Sequence, residues 1–246
     1  GMGRTGIYAQ GEQAALAAAK EIERIYRLQG IHVKGLFTHF AAADTPGEDT
    51  YTNWQLNNYN TVLNALTAKG LRPEICHASN SAAIMAHPGA HLDMVREGIM
   101  LYGLYPDSAP QPGGPLRPVL MLKSRVAQVR ELPAGSSVSY GRTYISEQPI
   151  RTAVIAAGYA DGHPRRLSNQ GYDIISGKAY KQIGRICMDM HMVDITGDDI
   201  IRPGDEVILW GGSGMSAEEV SQIVGTINYE LTCLVTRRVT RLYINE

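Results

Sequence analysis

Residues 31–40 (IHVKGLFTHF) decide the fold expected for the first half of this 246-residue chain. The run is mostly apolar and partly β-branched, which predicts a buried strand that ends at Thr38-His39-Phe40. Before it, residues 11–29 (GEQAALAAAKEIERIYRLQ) place apolar side chains at a spacing of roughly 3.6 residues. Gly30 follows, so we expect an amphipathic helix with a glycine stop and then a strand.

The same alternation continues toward the middle of the chain. Its expected elements are a helix at Asn53–Lys69 closed by Gly70, a strand at Arg72–Ala78, a short helix from Ser81, and a third strand at His91–Val95. Strands that alternate with helices at this spacing indicate parallel pairing with crossover helices. The first half is therefore expected to be part of a (β/α)8 barrel.

Polar residues follow each of these strands, namely His39, Ser79-Asn80-Ser81 and Arg96. In a β/α barrel, reactive side chains gather at the carboxyl ends of the strands. The chain supplies only about three of the eight strands that closure takes. Half a barrel would leave strand edges open, so we expect another polypeptide or a missing segment to complete it.

Residues 106–115 (PDSAPQPGGP) contain four prolines and two glycines, which predicts a linker. After it come short β runs at Val119–Glu131, Arg151–Ala157, Tyr172–Ile175, Lys181–Ile186, His191–Asp194, Glu206–Trp210 and Cys233–Tyr243. One helix is expected at Ser216–Ile223, where Ser216 and Glu219 form a capping box. The expected fold class is α/β plus β: the C-terminal part of a (β/α)8 barrel (1–115) followed by a mostly β C-terminal domain (116–246).

The composition excludes several function classes. Lys+Arg number 23 and Asp+Glu 24, so no basic surface suggests nucleic acid. No apolar run approaches the roughly 20 residues of a membrane helix, and no secretory leader begins the chain, although an upstream portion could hold either. The three cysteines are far apart and show neither metal nor disulfide spacing. A cytoplasmic protein without membrane contact from this segment is expected.

Seven short motifs carry a resemblance to a known family. They are GMGR (1–4), THFAAAD (38–44), HASNSA (77–82), REGIMLYG (96–103), SYG (139–141), GYADG (158–162) and RICMD (185–189). In order and spacing, over nearly the whole chain, they resemble the alanine racemases that depend on pyridoxal 5'-phosphate (PLP). The resemblance implies an isomerase that interconverts L- and D-alanine, the D-alanine serving peptidoglycan precursors, and a homodimer that shares its active sites.

The resemblance implies a cofactor site in the first half. Asn80, Ser81, Gly98 and Ile99 would hold the phosphate, since small residues let backbone amides approach an anion at a helix start. An ordinary helix N-cap is the alternative for the first two. Arg96 would face the pyridine nitrogen. Arginine is always cationic, so that nitrogen would stay unprotonated and side reactions such as transamination would be suppressed.

The catalytic residues implied by the resemblance come from both halves. Tyr140, donated across the dimer interface, would be the base toward L-alanine, with His39 and Arg96 as cationic neighbours that lower the phenol's pKa from about 10. His39 would order the tyrosine and Arg96. Arg4 would hold the cofactor's phenolic oxygen and the substrate side.

Other positions are implied for the substrate and its path. The Met188 amide would bind the substrate carboxylate, with Asp189 as a supporting carboxylate. The entrance residues would be Asp44, Tyr159, Arg165 and Arg185. Arg237 stands where some members of the family have a tyrosine; it could still pair with phosphate, but it leaves the choice between alanine and serine open.

The family's first barrel strand carries Lys-Ala-Asn-Ala-Tyr-Gly-His-Gly, whose lysine binds the cofactor and acts as the D-side base. No such run exists in this sequence. We therefore expect the chain to be a fragment that is inactive by itself. A serine or serine/alanine racemase, and a non-catalytic PLP-binding remnant, stay open as alternatives. A PLP decarboxylase is disfavoured because its Gly-rich phosphate loop is not found.

Overall fold

The computed structural model describes residues 1–106 and 115–244. The chain divides into two compact units, Gly1–Arg117 and Pro118–Glu246. Most of the expected linker, residues 107–114, lies outside the described residues.

The first unit alternates helices and strands. Its elements are α1 (Glu12–Tyr26), β1 (Gly35–Phe37), α2 (Asp49–Thr67), β2 (Ile75–His77) and α3 (Ser81–Ala86), followed by 3-10 turns at Pro88–Ala90 and Ile99–Tyr102. β1 and β2 pair in parallel, with Leu36 opposite Cys76. Because α2 connects them, the crossover arrangement expected from the sequence is confirmed.

The third strand expected at His91–Val95 is wrong. The segment makes a single parallel bridge, between Met94 and His77. Leu92 has φ 53, a left-handed conformation that a strand cannot contain. The Asp93 side chain instead accepts a hydrogen bond from the Cys76 amide at 2.8 Å, which holds the segment beside the end of β2.

One hydrophobic cluster of the first unit lies between α1 and α2. Its buried members are Ala15, Ala18, Ala19, Ile22, Val62 and Leu66. The alanines recur at helical spacing and have no side chain beyond Cβ, so the two helices can pack closely. A second cluster, which contains Phe40 and Ala78, lies at the strand ends that carry the polar residues.

The second unit is built on a closed six-stranded barrel in the order β10-β3-β6-β9-β8-β7. Its strands are β3 (Leu122–Leu132), β6 (Ile150–Ile155), β7 (Tyr172–Ile175), β8 (Lys178–Ile183), β9 (His191–Asp194) and β10 (Glu206–Trp210). A short hairpin of β4 (Ser137–Val138) and β5 (Tyr144–Ile145) lies outside it. Two helices follow the barrel, α4 (Ala217–Val224) and α5 (Asn228–Leu234). The Ser216–Glu219 capping box before α4 is confirmed.

Two β expectations need correction. The run expected at Lys181–Ile186 starts earlier and ends at Ile183, because Gly184 has φ 73. The strand expected at Cys233–Tyr243 is wrong: Cys233 belongs to α5, and no strand forms from there to residue 244. Instead, Arg241 donates to the carbonyls of Val235, Thr236 and Val239. Those carbonyls are satisfied by a side chain rather than by a ladder.

Within residues 1–106 and 115–244, no helix combines the length and apolar character that crossing a bilayer requires.

Candidate active site

Arg96 is the centre of the polar cluster in the first unit. Its Nη2 donates to the carbonyls of Thr38 and Ala78, each at 3.0 Å. Thr38 directly follows β1 and Ala78 directly follows β2. The guanidinium therefore joins the carboxyl ends of the two parallel strands, although the third strand that Arg96 was expected to follow does not form.

Two histidines accept hydrogen bonds from the same guanidinium. Nη2 lies 3.3 Å from His39 Nδ1, and Nη1 contacts His77 Nδ1. Arginine only donates, so both Nδ1 atoms are unprotonated. Burial, and then the charge of Arg96, lowers the pKa of both imidazoles. His39 is thus neutral near pH 7, which corrects the expectation that it supplies positive charge.

Gln55 and Phe37 support this cluster, and sequence reasoning missed both. Gln55, from α2, donates to Thr38 Oγ1 at 3.0 Å and to the His39 carbonyl at 2.7 Å. Phe37 stacks on His77 with ring centroids 5.2 Å apart and lies 5.4 Å from the Arg96 guanidinium carbon. The available signal for Phe37 was its place in the sequence, directly before Thr38-His39 at the end of β1.

The Arg96 cation has no carboxylate partner within residues 1–106 and 115–244. Its Nε is also without a partner in that part of the chain. Burial, and then the charge of Arg4, lowers the pKa of this half-buried guanidinium. A desolvated cation with an unused donor is suited to an acceptor atom on a ligand.

The expected phosphate residues come together at Ser81, which is 2% exposed. Ser81 Oγ accepts from the amides of Gly98 at 2.9 Å and Met100 at 3.4 Å. No described group accepts the Ile99 amide. The Gly98 amide is therefore already bonded to Ser81. The Ile99 amide and the Ser81 hydroxyl proton remain available to a ligand. Asn80 Oδ1 caps α3 through the Ala83 amide at 3.1 Å, as the N-cap alternative expected.

Arg4 and Asp44 lie close enough to His39 to act on its titration. The Arg4 charge contributes to the lowered pKa of His39, and the Asp44 charge opposes it. Arg4 also lines, with Thr38 and His39, a cavity of about 320 Å³ between α1, β1 and α2. The structure thus brings together Arg4, His39, Asp44 and Arg96.

In the second unit, Tyr140 lies on an exposed turn that contacts the RICMD run. Its side chain is 66% exposed. Ser139 Oγ donates to the Arg185 carbonyl at 2.5 Å. A Cβ placed on Gly141 would lie 2.8 Å from Arg185 Nη1. The tyrosine turn and the candidate carboxylate-binding turn are therefore neighbours.

The Met188 amide is presented by a turn that packs against the GYADG segment. Tyr159 and Ala160 donate backbone hydrogen bonds to the Cys187 and Met188 carbonyls at 3.1 and 3.0 Å. A Cβ on Gly158 would lie 2.3 Å from the Cys187 carbonyl oxygen, so only glycine fits there. No described group accepts the Met188 amide, and the side chain is 53% exposed. The amide is free for a ligand.

Asp189 is held by an arginine that sequence reasoning gave no role. Arg238 donates to Asp189 Oδ1 at 2.6 Å and to Asp161 Oδ1 at 2.7 Å. These bonds raise the pKa of Arg238. The remaining expected residues, Arg165 and Arg237, have exposed side chains to which the structure assigns no partner within the described ranges.

Comparison with known proteins shows which family the chain is similar to. The family model "Alanine racemase, N-terminal domain" matches residues 1–106, and "Alanine racemase, C-terminal domain" matches residues 119–243. The chain is 42% identical to the alanine racemase of Carboxydothermus hydrogenoformans and 43% identical to that of Desulforamulus reducens, over 99% of its length. It spans 65% of the length of each of these curated relatives.

Solved structures give the same result. The alanine racemase of Clostridium difficile 630 superposes with a TM-score of 0.89 at 40% identity, covering 99% of this chain and 62% of that one. The enzyme from Streptomyces coelicolor A3(2) superposes with a TM-score of 0.86 at 37% identity, covering 100% of this chain and 64% of that one. With both family models matched and the expected residues grouped at strand ends and turns, this chain belongs to the alanine racemase family.

Proposed function

We propose that the chain supplies most of the active site of an alanine racemase, which interconverts L- and D-alanine with PLP. The observation that carries the proposal is Arg96, a half-buried cation with no carboxylate partner in the described ranges, flanked by two neutral histidines. A PLP enzyme that protonates the ring nitrogen needs a carboxylate at that place. The positive charge of Arg96 favours an unprotonated ring nitrogen instead. That protonation state suits racemisation.

The residues present fit the cofactor. Ser81 keeps a hydroxyl proton and Ile99 keeps an amide proton, and both are suited to a phosphate. The unused Nε of Arg96 is suited to an unprotonated ring nitrogen. When bound, PLP draws electrons away from the α-carbon of an attached amino acid, which makes its α-hydrogen removable.

The chain's own groups then act on the substrate. Tyr140 takes the α-hydrogen from L-alanine and returns it in the reverse direction. The Met188 amide donates to the substrate carboxylate and holds the α-carbon in place. His39, whose Nδ1 faces Arg96, carries its proton on Nε2 and can donate from there to the phenol. Arg4 completes the positive surroundings of the site.

Assembly as a homodimer would bring Tyr140 of one copy to Arg96 of the other. Support comes from the exposure of Tyr140. A catalytic base works in a site from which water is excluded, so an exposed Tyr140 needs a partner surface to cover it. A cytoplasmic location is part of the proposal, because all three cysteines are free thiols. The first unit is proposed to be the C-terminal part of a (β/α)8 barrel.

The second base is proposed to be a lysine outside the motifs of this chain. The test uses purified residues 1–246, alone and mixed with a segment that carries the family's lysine strand, both with PLP and L-alanine. D-alanine should form only in the mixture. Turnover by residues 1–246 alone would overturn the assignment of the lysine. If no D-alanine forms in the mixture although both parts are folded, the proposal that the assembled protein is a racemase is overturned.

Arg237 supports a second candidate, a serine or serine/alanine racemase. Its exposed side chain lacks a partner in the described ranges, so it is free to pair with phosphate or to meet a hydroxyl. Comparing kcat/KM for L-alanine and L-serine separates the two. A non-catalytic PLP-binding remnant predicts no D-amino acid from either substrate.

A further inference from the structure

A second polar cluster lies buried in the β unit, outside the residues that the candidate site uses. His163, Asp173, Gln182 and His191 are each at most 1% exposed. The last three lie on β7, β8 and β9, which are adjacent strands of the closed barrel. Buried ionisable groups cost free energy unless they are paired, so the hydrogen bonds of this cluster determine what it can do.

His191 carries a hydrogen on both ring nitrogens. Nδ1 lies 2.7 Å from the Ala157 carbonyl, which can only accept. Nε2 lies 2.6 Å from Asp173 Oδ2. Burial alone lowers the pKa of His191, but the Asp173 charge and the two hydrogen bonds outweigh it and raise the pKa above its ordinary value. Both ring nitrogens therefore face acceptor atoms, an arrangement that favours the imidazolium form of His191.

Gln182 and His163 complete the cluster without adding charge. Gln182 Nε2 donates to Asp173 Oδ1 at 2.8 Å and lies 2.9 Å from His163 Nε2. If the Gln182 amide were turned around, its oxygen would face the Asp173 carboxylate, and two acceptors would oppose each other. The amide nitrogen therefore donates to Asp173 and to His163 Nε2, which accepts. Burial, and then the His191 charge, lowers the pKa of His163 to about 3. His163 stacks on His191 as a neutral ring.

The same groups do not match a zinc centre. Three ligand atoms of His163, Asp173 and His191 lie within 4.8 Å of one another. However, His191 Nε2 and Asp173 Oδ2 are only 2.6 Å apart, whereas ligand atoms around a tetrahedral zinc are separated by about 3.3 Å. The Gln182 amide also lies between the carboxylate and the second imidazole. The cluster is a hydrogen-bond network.

The contact of His191 with Ala157 leads to the candidate active site. The Ala157 carbonyl and the Gly158 amide belong to one peptide group, which is held from both sides, by His191 Nδ1 and by Asp161 Oδ2 at 2.8 Å. The α-carbon of Gly158 lies directly against the Met188 turn, because a Cβ there would lie 2.4 Å from the Met188 carbonyl oxygen. Moving this peptide group would move the turn that presents the Met188 amide.

We propose that His191 is a positioning residue for the substrate carboxylate: its hydrogen bond to the Ala157 carbonyl fixes the peptide group against which the Met188 amide is held. The inference rests on the proposed function, in which that amide binds the carboxylate. His191 touches no substrate atom and acts through Ala157 and Gly158. Asp173 keeps the His191 ring oriented and doubly protonated.

Two variants of His191 separate its two hydrogen bonds. In His191→Asn the side-chain amide nitrogen occupies the place of Nδ1 and keeps the bond to Ala157. In His191→Gln it occupies the place of Nε2 and keeps only the bond to Asp173. Folding of both is checked by circular dichroism. His163→Phe is the control, because it removes an equally buried imidazole whose described hydrogen bond goes to Gln182 and not to Ala157.

The first readout needs no activity. Labelling residues 1–246 with 15N-methionine gives at most nine amide signals, one per methionine. The Met188 signal should move in His191→Gln and stay in place in His191→Asn and His163→Phe. If the Met188 signal shifts as much in His163→Phe as in His191→Gln, the shift reflects a general change in packing, and the proposal is overturned. An unchanged signal in His191→Gln, or a stoichiometric metal in the purified protein, would overturn it as well.

The second readout uses the assembled enzyme with its lysine-bearing segment. His191→Gln should raise KM for L-alanine about tenfold with kcat changed less than twofold, as expected for a displaced binding group. His191→Asn should restore KM to within about twofold of the unsubstituted enzyme. An equal loss in both variants would contradict the role of the Ala157 bond. If the unsubstituted enzyme does not racemise alanine, the proposed function fails, and the methionine signal decides the positioning inference.

Discussion

Arg96 Nη2 lies 3.3 Å from His39 Nδ1, so the imidazole accepts from the guanidinium and carries its own proton on Nε2. This relationship sets the protonation of the first cluster. Arg96 is the permanent cation, and His39 is a neutral donor rather than a second charge. Among the residues that the structure describes, none binds the Arg96 Nε, since the two Nη atoms are the ones that bind the strand ends and the histidines.

Replacing the Arg96 cation should change which reaction the cofactor supports. In Arg96→Glu, a carboxylate would stand where the cofactor's ring nitrogen is proposed to bind and would favour its protonation, so racemisation should fall by about 100-fold and pyruvate from transamination should appear. Arg96→Lys keeps the positive charge, so it should lose activity without forming pyruvate. Coupled assays for D-alanine and pyruvate measure both. Equal pyruvate from the two variants would contradict the role given to the arginine.

Gly158→Ala should displace the Met188 turn. The new Cβ would lie 2.3 and 2.4 Å from the Cys187 and Met188 carbonyl oxygens, which are backbone atoms and cannot swing away. We expect a loss of about 2 kcal/mol in the free energy of unfolding and a higher KM for L-alanine. Gly89→Ala is the control, because nothing lies within 4 Å of its Cβ position. Urea titration measures the free energy of unfolding. A small loss of that free energy in Gly158→Ala would show that the Met188 turn moves aside for the new Cβ.

Acid should destabilise the β unit through His163. Its pKa is about 3 in the folded protein, through burial and then the His191 charge, and about 6.5 in the unfolded chain. The stabilising contribution is therefore complete above pH 6.5 and is lost as the pH falls toward 3. His163 alone should lower the free energy of unfolding by up to about 1.4 kcal/mol per pH unit within that window.

His163→Phe removes that titration. Its unfolding free energy should depend less on pH than that of the unsubstituted protein between pH 6.5 and 4.5, and the difference between the two curves isolates this residue. Parallel curves would show that His163 is already protonated in the folded state.

Much of the fold followed from local pattern. The helical period placed α1 and α2, and β7, β9 and β10 have the bounds expected from their alternation and turns. The closing segment did not follow, since a short run around Cys233 fits a helix or a strand. After α5, the Arg241 side chain binds carbonyls that a strand would have paired. Closure of the barrel depends on pairing between distant strands, which no local pattern encodes.

Those candidate site residues that belong to a sequence motif could be predicted. Arg96, His39 and Ser81 lie in quoted motifs and meet at adjacent strand ends. The part played by His77 was missed, although it stands in the same run as Ser81. The buried network of Asp173 and His191 could not be found, because its members meet only across barrel strands and form no motif.

Tyr140→Phe should remove the proposed base toward L-alanine. The rate of α-hydrogen exchange from L-alanine in D2O should fall by about 10²- to 10⁴-fold, the usual contribution of a positioned base. Tyr144→Phe, four residues on in the same hairpin, is the matched control. Burial, with the charges of Asp194 and Glu147, raises the pKa of Tyr144, so it is no base at neutral pH and its loss should leave exchange nearly unchanged.

The shared site is tested most directly by mixing two inactive proteins, Tyr140→Phe and Arg96→Gln, in the presence of the lysine-bearing segment and PLP. If Tyr140 of one copy serves Arg96 of the other, random pairing makes half of the dimers mixed, each with one intact site. Racemisation should then return to about a quarter of the unsubstituted rate. A mixture as inactive as its two components would contradict a site built from two copies of this chain.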